Sequence, residues 1–355
     1  MVISRWWTTW PGRLPEASPG CVAVSDLAND SAIHECAWPR QMSPGTIWLV
    51  VVTFHRVAEL ERLLIASGRQ TCKLAGTVIV DNASDPAVCA LAAKYHAICI
   101  SSQRNLGGAG GFALGILTAL SYGATLLWLW DDDGWPEYPD CLDRLVAFQA
   151  KSGAAIASPL VVDAADPALC AFAFRRGRTI ILSRAEASMH EVLVGQAHLF
   201  NGALIPAVTF DRFGVPDMRL FVRGDEVDFF HRIVRGRGLV ATVTAAIARH
   251  PSGMIEASPL LGGLLFAVCP ADPDRARIMF RNRGYIARRH RLWRLVPLDI
   301  LRYAIFFLAK RKPNWIGFGS WLSCSLDGWR GHLGSPQGTE ITSGRKRRNS
   351  RIGRR

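Results

Sequence analysis

The sequence predicts an α/β fold with a mostly parallel central sheet and a helical C-terminal region. Between residues 46 and 133, short apolar runs alternate with segments whose apolar residues recur at helical spacing, and this alternation implies parallel strands with helices on both faces. Polar or acidic residues follow most of the apolar runs directly. Because ligands of such sheets bind outside the carboxyl ends of the strands, the same pattern indicates which edge carries the site.

Each predicted element has its own signal. The first strand is the continuous apolar run TIWLVVVT, and the helix after it has Leu60, Leu63 and Leu64 on one face. The fourth strand, TLLWLWDDD, is among the most apolar runs of the chain and ends in three acids. The predicted strands are residues 46–53, 77–84, 97–102 and 125–133, and the predicted helices are residues 57–67, 87–95 and 110–123.

Composition and charge narrow the classes of protein. A chain of 355 residues with 49% apolar residues can bury a large core. The net charge is +13, and the last twelve residues hold seven basic side chains and no acid. Such a block is typical of a solvated, disordered tail, and it could favour anionic lipid or nucleic acid. No nucleic-acid-binding motif accompanies it, so we do not expect DNA or RNA as a partner.

The cysteines and the N-terminus indicate the compartment. The nine cysteines are odd in number, form no C-x-x-C pair and have no zinc-ligand spacing with histidines. This favours a reduced, cytosolic setting in which most of them are small core residues. Residues 1–44 are rich in Pro, Ser and Ala, and their start has no apolar core of the kind that a secretory signal needs. We expect a poorly ordered extension there.

Three consecutive acids follow the fourth strand, and they need a positive partner because adjacent carboxylates repel one another. Asp131 and Asp133 are two residues apart, so on an extended segment they point the same way and can share one divalent ion. Mg²⁺ or Mn²⁺ leaves positions open for phosphate oxygens, which suits a diphosphate leaving group. Asp132 points the opposite way, towards a ribose, solvent or a backbone amide. The alternative is a solvated turn or a helix cap before Trp135.

Other polar residues are predicted to join this cluster. Thr53, Asp81, the loop of Asn105 and Asp131 all lie at the carboxyl ends of predicted strands. These ends meet at one edge of a parallel sheet, so we expect the four positions to line one crevice. Together with the acids, they favour a nucleotide-sugar site.

A dinucleotide site is the main competing interpretation. Residues 108–113, GAGGFA, match G-x-G-x-x-G/A, and Asp131 follows at about the distance of an acid that binds a ribose hydroxyl. That fingerprint belongs to the first strand-turn-helix unit of its fold, whereas two strands precede it here. Three acids would also repel a pyrophosphate. A glycine-rich turn that allows close helix packing is the simpler explanation.

Several motifs in order resemble the family 2 glycosyltransferases of GT-A fold. They are VVVTFHR, VDNAS, RNLGGAGGF, WLWDDDG, FNGALI, GVPDMRLFVRGDEVDFFHRIVRGRG, HPSG and RNRGY. The set is similar to the actinobacterial galactofuranosyltransferases that begin cell-wall galactan. The resemblance implies inverting, Mn²⁺- or Mg²⁺-dependent transfer of galactofuranose from UDP-galactofuranose to a rhamnosyl-GlcNAc-diphosphoryl-polyprenol. The alternatives are a family member with another donor, such as dTDP-rhamnose, and an inactive nucleotide- or glycan-binding module.

The resemblance also implies roles for individual residues. The residues expected to bind the nucleotide-sugar donor are Thr53, Arg56, Asp81, Asn82, Arg104, Asn105, Gly107, Gly108 and Asp132. The residues expected to hold the metal are Asp131, Asp133 and His250. The catalytic base is expected from Asp225 and Glu226, with an accessory role for Asp228.

The segment LFVRGDEVDFF, residues 220–230, predicts how the base is presented. An apolar strand is expected to end at Arg223 and Gly224, and a helix is expected to follow. Asp225 would then lie near a helix N-terminus, where the helix dipole and the charge of Arg223 favour the ionised carboxylate. A purely structural helix cap is the alternative.

The whole chain is expected to divide into four regions. They are a poorly ordered extension at residues 1–44, a GT-A catalytic domain at 45–260, a helical, membrane-proximal region at 261–335 and a basic disordered tail at 336–355. Residues 292–309 are apolar, but four charged or proline residues interrupt them, so they cannot span a bilayer. They predict either an interfacial helix or an amphipathic helix packed on the catalytic domain. With a polyprenyl-linked acceptor, the enzyme would lie at the inner face of the plasma membrane.

Overall fold

The first half of the central sheet is parallel and consists of the predicted strands. The computed structural model describes residues 45–176, 179–251, 256–309 and 313–334, so the predicted extension and tail lie outside the described residues. The first strands are β1 (Ile47–Thr53), β2 (Gly76–Asp81), β3 (Ile98–Ser101) and β4 (Leu126–Asp131). The helices between them are α1 (Val57–Gly68), α2 (Pro86–Lys94) and α3 (Gly107–Ser121). The strand order is β3-β2-β1-β4, with every neighbour parallel.

The second half of the sheet is mixed. Its elements are β5 (Trp135–Pro136), α4 (Cys141–Ser152), β6 (Ile156–Asp163), β7 (Leu169–Arg176), β8 (Thr179–Ser183), α5 (Arg184–Ser188), β9 (Val192–Val194), β10 (Asn201–Pro206), α6 (Ala207–Phe213), a 3-10 turn (Met218–Leu220), α7 (Asp225–Arg235) and β11 (Val240–His250). β10 runs antiparallel between β4 and β6, whereas β11 is parallel to β6. The predicted α/β class is therefore confirmed, with parallel pairing concentrated in the first four strands.

The glycine-rich start of α3 packs closely on the sheet. A Cβ atom added at Gly111 would lie 2.6 Å from Cγ1 of Val52, and one added at Gly115 would lie 2.6 Å from Cγ1 of Val50. Only glycine allows the helix axis to come this near to β1. The glycines of α3 therefore allow close helix packing, as the simpler of the two interpretations predicts. The glycine pattern follows the third strand, whereas a dinucleotide fingerprint would follow the first.

Three helices and a small hairpin form the C-terminal region. These elements are β12 (Ala257–Leu260), a 3-10 turn (Leu261–Gly263), β13 (Leu265–Val268), α8 (Pro273–Arg289), α9 (Leu295–Ala304), a π-helical turn (Ile305–Ala309) and α10 (Trp315–Arg330). Met279, Phe280, Tyr303 and Trp321 form its apolar core.

The segment at residues 292–309 has two different faces. Two of the charges that interrupt it, Asp299 and Arg302, are buried and pair with one another, and Arg283 also bonds to Asp299. Ile300 and Leu301 on the opposite side are exposed. No helix in the described ranges has both the length and the apolarity required to cross a bilayer. One face of the segment is thus buried against the protein, and the opposite face is exposed.

Two cysteines are joined, which no spacing pattern in the sequence indicates. Cys89 on α2 and Cys99 on β3 form a disulfide with a Cα–Cα distance of 5.6 Å. Of the free cysteines, Cys141 and Cys170 are buried as small core residues.

Candidate active site

The polar ends of the parallel strands lie side by side. In the register of the sheet Thr53 is opposite Asp81, and Val52 is opposite Asp131. Asp81 is in turn opposite Ser101 at the end of β3. The structure therefore places the predicted strand-end residues along one edge, as the expected crevice requires.

Asp132 is buried and closes the end of β1. Its carboxylate accepts hydrogen bonds from Oγ1 of Thr53 at 2.8 Å and from the backbone N–H of Phe54 at 3.2 Å, and Nη1 of Arg56 donates at 3.0 Å. Burial raises the pKa of Asp132 to about 6, against the opposing effect of the Arg56 charge. Thr53 and Arg56, both predicted to bind the donor, are thus hydrogen-bonded to Asp132, a third such residue. The bond from the N–H of Phe54 agrees with the expectation that Asp132 faces a backbone amide.

Asp133 meets His250 because β5, directly after the acidic run, pairs with the end of β11. Nε2 of His250 lies 3.0 Å from Oδ1 of Asp133, and Arg56 also pairs with this carboxylate. Burial alone would raise the pKa of Asp133, but the hydrogen bond and charge of His250 and the charge of Arg56 lower it to about 2. Asp133 is therefore ionised at neutral pH.

The geometry of His250 suits a metal ligand. Nδ1 of the ring lies 2.5 Å from the carbonyl oxygen of Pro251, an arrangement that assigns the proton of the neutral ring to Nδ1. The lone pair of Nε2 then faces a carboxylate oxygen, and a proton or a cation is needed between them. Nε2 of His250 and Oδ1 of Asp133 are thus two donor atoms that would hold a divalent cation between them.

Asp131 does not complete a three-ligand group. No cluster of three His, Cys, Asp or Glu side chains in the described part of the chain is arranged to hold a metal. Burial raises the pKa of Asp131 well above its ordinary value, and the charges of Asp133, Asp132, Glu226 and Asp225 raise it further. A cation at this point would relieve that repulsion, and Mg²⁺ often takes only one or two carboxylates and fills its shell with water and phosphate oxygens. The residues present fit such an ion.

Asp225 and Glu226 begin α7, as predicted, but the segment before them differs from the prediction. Instead of a strand, residues 218–220 form a 3-10 turn, and Phe221 and Arg223 have left-handed φ values of 63° and 61°. A strand needs extended backbone, which these φ values do not allow. The predicted strand at residues 220–222 is therefore wrong.

The expected electrostatics of Asp225 are also corrected. Burial raises the pKa of Asp225 to about 7, although the backbone N–H groups at the start of α7 oppose the shift. Burial and the Asp225 charge raise the pKa of Glu226 to about 8, with Arg223 opposing. Arg223 is engaged elsewhere, with Nη2 at 2.7 Å from Oε2 of Glu256. Desolvation outweighs the helix dipole here, and it leaves a carboxyl group that exchanges a proton near neutral pH.

The glycine loop connects the two sides of the site. Nδ2 of Asn82 donates to the carbonyl of Gly107 at 3.0 Å, and Oδ1 of Asn105 accepts from the N–H of Gly107 at 2.8 Å. Gly107 has a φ of 68°, and a Cβ there would lie 2.1 Å from the carbonyl oxygen of Phe221. A Cβ at Gly108 would lie 3.9 Å from Oδ2 of Asp225. The start of α3 therefore lies directly beside the acidic pair.

Three other predicted residues are placed as follows. Asp81 is fully buried and accepts backbone hydrogen bonds from Ala83 at 2.8 Å and Asp85 at 2.6 Å. Arg104 is exposed on the loop before α3. Asp228 is buried, with Nε of Arg232 at 3.0 Å and Nε2 of His290 at 2.8 Å. Asp228 thus ties α7 to the end of α8, which agrees with an accessory role.

The sequence predicts no role for two residues near the site. Asn282, in RNRGY, donates its side-chain amide to three carbonyl groups of the turn before α7. Phe172 lies between His198 and His250, with ring centroids at 4.5 Å and 5.2 Å. Burial, and then the charge of His250, lowers the pKa of His198 to about 3, so His198 is neutral.

Comparisons with known proteins relate the chain to a family of enzymes. The family model described as "Glycosyl transferase family 2" matches residues 48–167. Galactofuranosyltransferase GlfT1 of Mycolicibacterium smegmatis is 40% identical over 281 residues, which are 77% of this chain and 93% of that protein. GlfT1 of Mycobacterium tuberculosis is 40% identical over 303 residues, which are 83% of this chain and 99% of that protein. The structure of S. aureus TarS 1–349 is 11% identical with a TM-score of 0.52, covering 81% of this chain and 82% of that one, a likeness of fold alone.

Proposed function

Because this chain belongs to the family 2 glycosyltransferases and has their GT-A fold, we propose that it transfers galactofuranose from UDP-galactofuranose to a lipid-linked glycan. The observation that carries this proposal is the 40% identity to two galactofuranosyltransferases over nearly their full length. In the proposed reaction the acceptor is a rhamnosyl-GlcNAc-diphosphoryl-polyprenol of cell-wall synthesis. The donor side of the crevice is lined by Thr53, Arg56, Asp81, Asn82, Arg104, Asn105, Gly107, Gly108 and Asp132.

The diphosphate side of the proposed site rests on Asp133 and His250. These two side chains would hold a divalent Mn²⁺ or Mg²⁺, with Asp131 beside them, and the ion would supply charge stabilisation for the departing diphosphate. Asp133 is suited to this role because its Oδ1 lies 3.0 Å from Nε2 of His250, so the two groups face the same point. Arg56 supplies a fixed positive charge next to the same carboxylate.

The base side of the proposed site rests on Asp225. In a single displacement the acceptor hydroxyl attacks the anomeric carbon, the bond from that carbon to the diphosphate oxygen breaks, and UDP leaves. The hydroxyl proton passes to the carboxylate of Asp225, and the configuration at the anomeric carbon inverts. A pKa of about 7 makes this carboxyl an effective base near neutral pH. The charge of Asp228 adds to burial in raising this pKa.

A donor screen tests the proposed substrate. The full chain is incubated with a rhamnosyl acceptor and radiolabelled UDP-galactofuranose, dTDP-rhamnose or UDP-GlcNAc. Transfer is expected from UDP-galactofuranose only, because the similarity to a galactofuranosyltransferase covers 83% of this chain at 40% identity. Transfer of rhamnose instead would favour the alternative family activity and contradict the proposal.

We also propose that the C-terminal helices contact the inner face of the plasma membrane, which would place the active site near a lipid-linked acceptor. Seven large apolar side chains are exposed on α9, on α10 and in the turn before α9: Trp293, Ile300, Leu301, Trp315, Ile316, Leu322 and Leu326. Exposed tryptophan and aliphatic residues beside basic residues are typical of interfacial helices. Of these seven, the most exposed are Ile316 at 88% and Trp315 at 68%, both at the start of α10.

Vesicle binding tests this contact with the full chain. Replacing both residues in the variant Trp315→Ser/Ile316→Ser should weaken sedimentation with phosphatidylglycerol vesicles at least ~100-fold, because each buried side chain of this size contributes about 1.5–3 kcal/mol. Point substitutions are preferred to truncation, since α9 and α10 contribute Tyr303 and Trp321 to a buried core. Met189→Ser, at a position 77% exposed on the catalytic domain, is the matched control. Equal vesicle binding by the double variant and the control would contradict the proposed contact.

A further inference from the structure

The turn before the proposed base has an unfavourable backbone. Phe221 and Arg223 both have left-handed φ values, 63° and 61°, and Gly224 has a φ of 114°. Residues other than glycine and asparagine rarely adopt a positive φ. Gly224 is also confined, since a Cβ there would lie 2.9 Å from Cδ1 of Ile286 on α8. The turn is therefore held by its surroundings and not by local preference.

Asn282 is the centre of that support. It is fully buried on α8, and its side-chain amide donates to the carbonyl oxygens of Leu220 at 2.7 Å, Val222 at 3.1 Å and Arg223 at 2.8 Å. Three backbone carbonyl groups, from the end of the 3-10 turn to Arg223, thus accept from one nitrogen. Without it, these carbonyl groups would lose this partner in a buried region, which is costly.

The orientation of the Asn282 amide is itself determined. Oδ1 of Asn282 accepts from Nε of Arg281 at 3.1 Å and from Nη2 of Arg281 at 2.9 Å. Since Oδ1 is the acceptor from a guanidinium, Nδ2 is the atom that faces the turn. Arg281 also donates to the carbonyl of Arg219, at the start of the same turn, at 3.3 Å.

The opposite side of the turn rests on the glycine loop. The N–H of Ala109 at the start of α3 donates to the carbonyl of Phe221 at 3.0 Å. Among the carbonyl groups of residues 220–223, that of Phe221 is the one that Asn282 does not bind. The turn is thus clamped between α3, which belongs to the proposed donor site, and α8, which belongs to the C-terminal helices.

From this geometry we propose that Asn282 is a positioning residue for the catalytic acid pair, and that through it the C-terminal helices set the place of Asp225 and Glu226. The inference rests on the proposed function, because it gives Asn282 a role only if a base acts from this pair. Asn282 touches no reacting atom. Its contribution is to keep the turn in its left-handed form, so that Asp225 stays within reach of the acceptor hydroxyl. A misplacement of about 1 Å in a catalytic group can lower the rate ~10²-fold.

The test compares two variants with a matched control. Asn282→Ala removes the amide group that donates to the three carbonyl groups, and Asn282→Asp keeps the shape but directs a carboxylate oxygen at carbonyl oxygens. Met279→Ala, one helical turn earlier on α8, removes a buried side chain of the C-terminal core without touching the turn. All three variants are compared with the native chain at a temperature where circular dichroism shows each to be folded.

The expected result is a separation of turnover from binding. For both Asn282 variants kcat should fall ~10- to 100-fold, while KM for the donor and Kd for UDP stay within about twofold. Met279→Ala should lower Tm but keep kcat within about twofold of native. Native-like kcat in both Asn282 variants would overturn the inference, and so would an equal loss of kcat in Met279→Ala, which would show a general effect of stability.

The inference and the proposed function fail in different ways. If Asp225→Asn is inactive while the Asn282 variants keep full turnover, the base assignment stands and only the positioning role is overturned. If Asp225→Asn and Glu226→Gln both keep native turnover, the acid pair is not the base. In that case the proposed mechanism fails first, and the positioning role of Asn282 fails with it.

Discussion

Asp225→Asn is expected to lower kcat by ~10²–10⁴-fold, the usual contribution of general base catalysis. The substitution keeps the size of the side chain and much of its ability to accept from the first N–H groups of α7, but it cannot take a proton. Kd for UDP should change little, because the proposed diphosphate ligands lie elsewhere in the crevice. Steady-state kinetics and calorimetric UDP binding on the same preparation measure both quantities.

The pH dependence of the native enzyme and of this variant sharpens the result. Asp225 acts only when ionised, so kcat of the native enzyme should rise with pH through about 7, the pKa to which burial raises this group. The rise should be absent from the residual activity of Asp225→Asn. Near-native turnover in Asp225→Asn, with loss of turnover in Glu226→Gln, would instead assign the base to Glu226.

The same raised pKa determines the sign of the stability effect. The folded pKa of Asp225 lies above the ordinary value of 3.8, so the folded state binds more protons than the unfolded state between about pH 4 and 7. This group therefore makes folding less favourable as the pH rises through that window. Asp225→Asn removes the buried charge, and its Tm at pH 8 should not be lower than that of the native protein.

Asp133→Ala is expected to lower transfer at least ~10³-fold, because a divalent ion contributes several kcal/mol of charge stabilisation to a leaving diphosphate. It should also weaken UDP binding far more in Mn²⁺ than in EDTA. The substitution removes the carboxylate that faces Nε2 of His250 at 3.0 Å, and with it one of the two proposed metal ligands. Calorimetric titration of UDP with and without the metal is the direct measurement.

Controls separate the metal effect from a general loss of acid. Asp166→Asn, an exposed acid on the loop before β7, should leave both the transfer rate and the metal dependence of UDP binding unchanged. Native protein that bound UDP equally well in Mn²⁺ and in EDTA would contradict the proposed metal site, whatever the effect of Asp133→Ala on the rate.

Local patterns predicted most of the first half of the fold. The apolar runs became β1, β2, β3 and β4 within a few residues of the predicted bounds, since the period of apolar residues is a property of neighbours in the chain. The acids after β4 were predicted to need a positive partner. Arg56 pairs with Asp132, and His250 contacts Asp133. The predicted strand at residues 220–222 failed because its apolar composition is equally compatible with a buried turn.

The sequence by itself determined the α/β class, the parallel strands, the edge on which polar residues gather and, through its ordered motifs, the glycosyltransferase family. These depend on periodicity, on strand ends and on short motifs, which are local. Only the tertiary structure decided that β5 pairs with β11 and so sets Asp133 against His250, that burial raises the pKa of Asp225 to about 7, and that Asn282 holds a turn 60 residues away. Desolvation and hydrogen-bond partners depend on which distant segments pack together, and no local pattern contains that information.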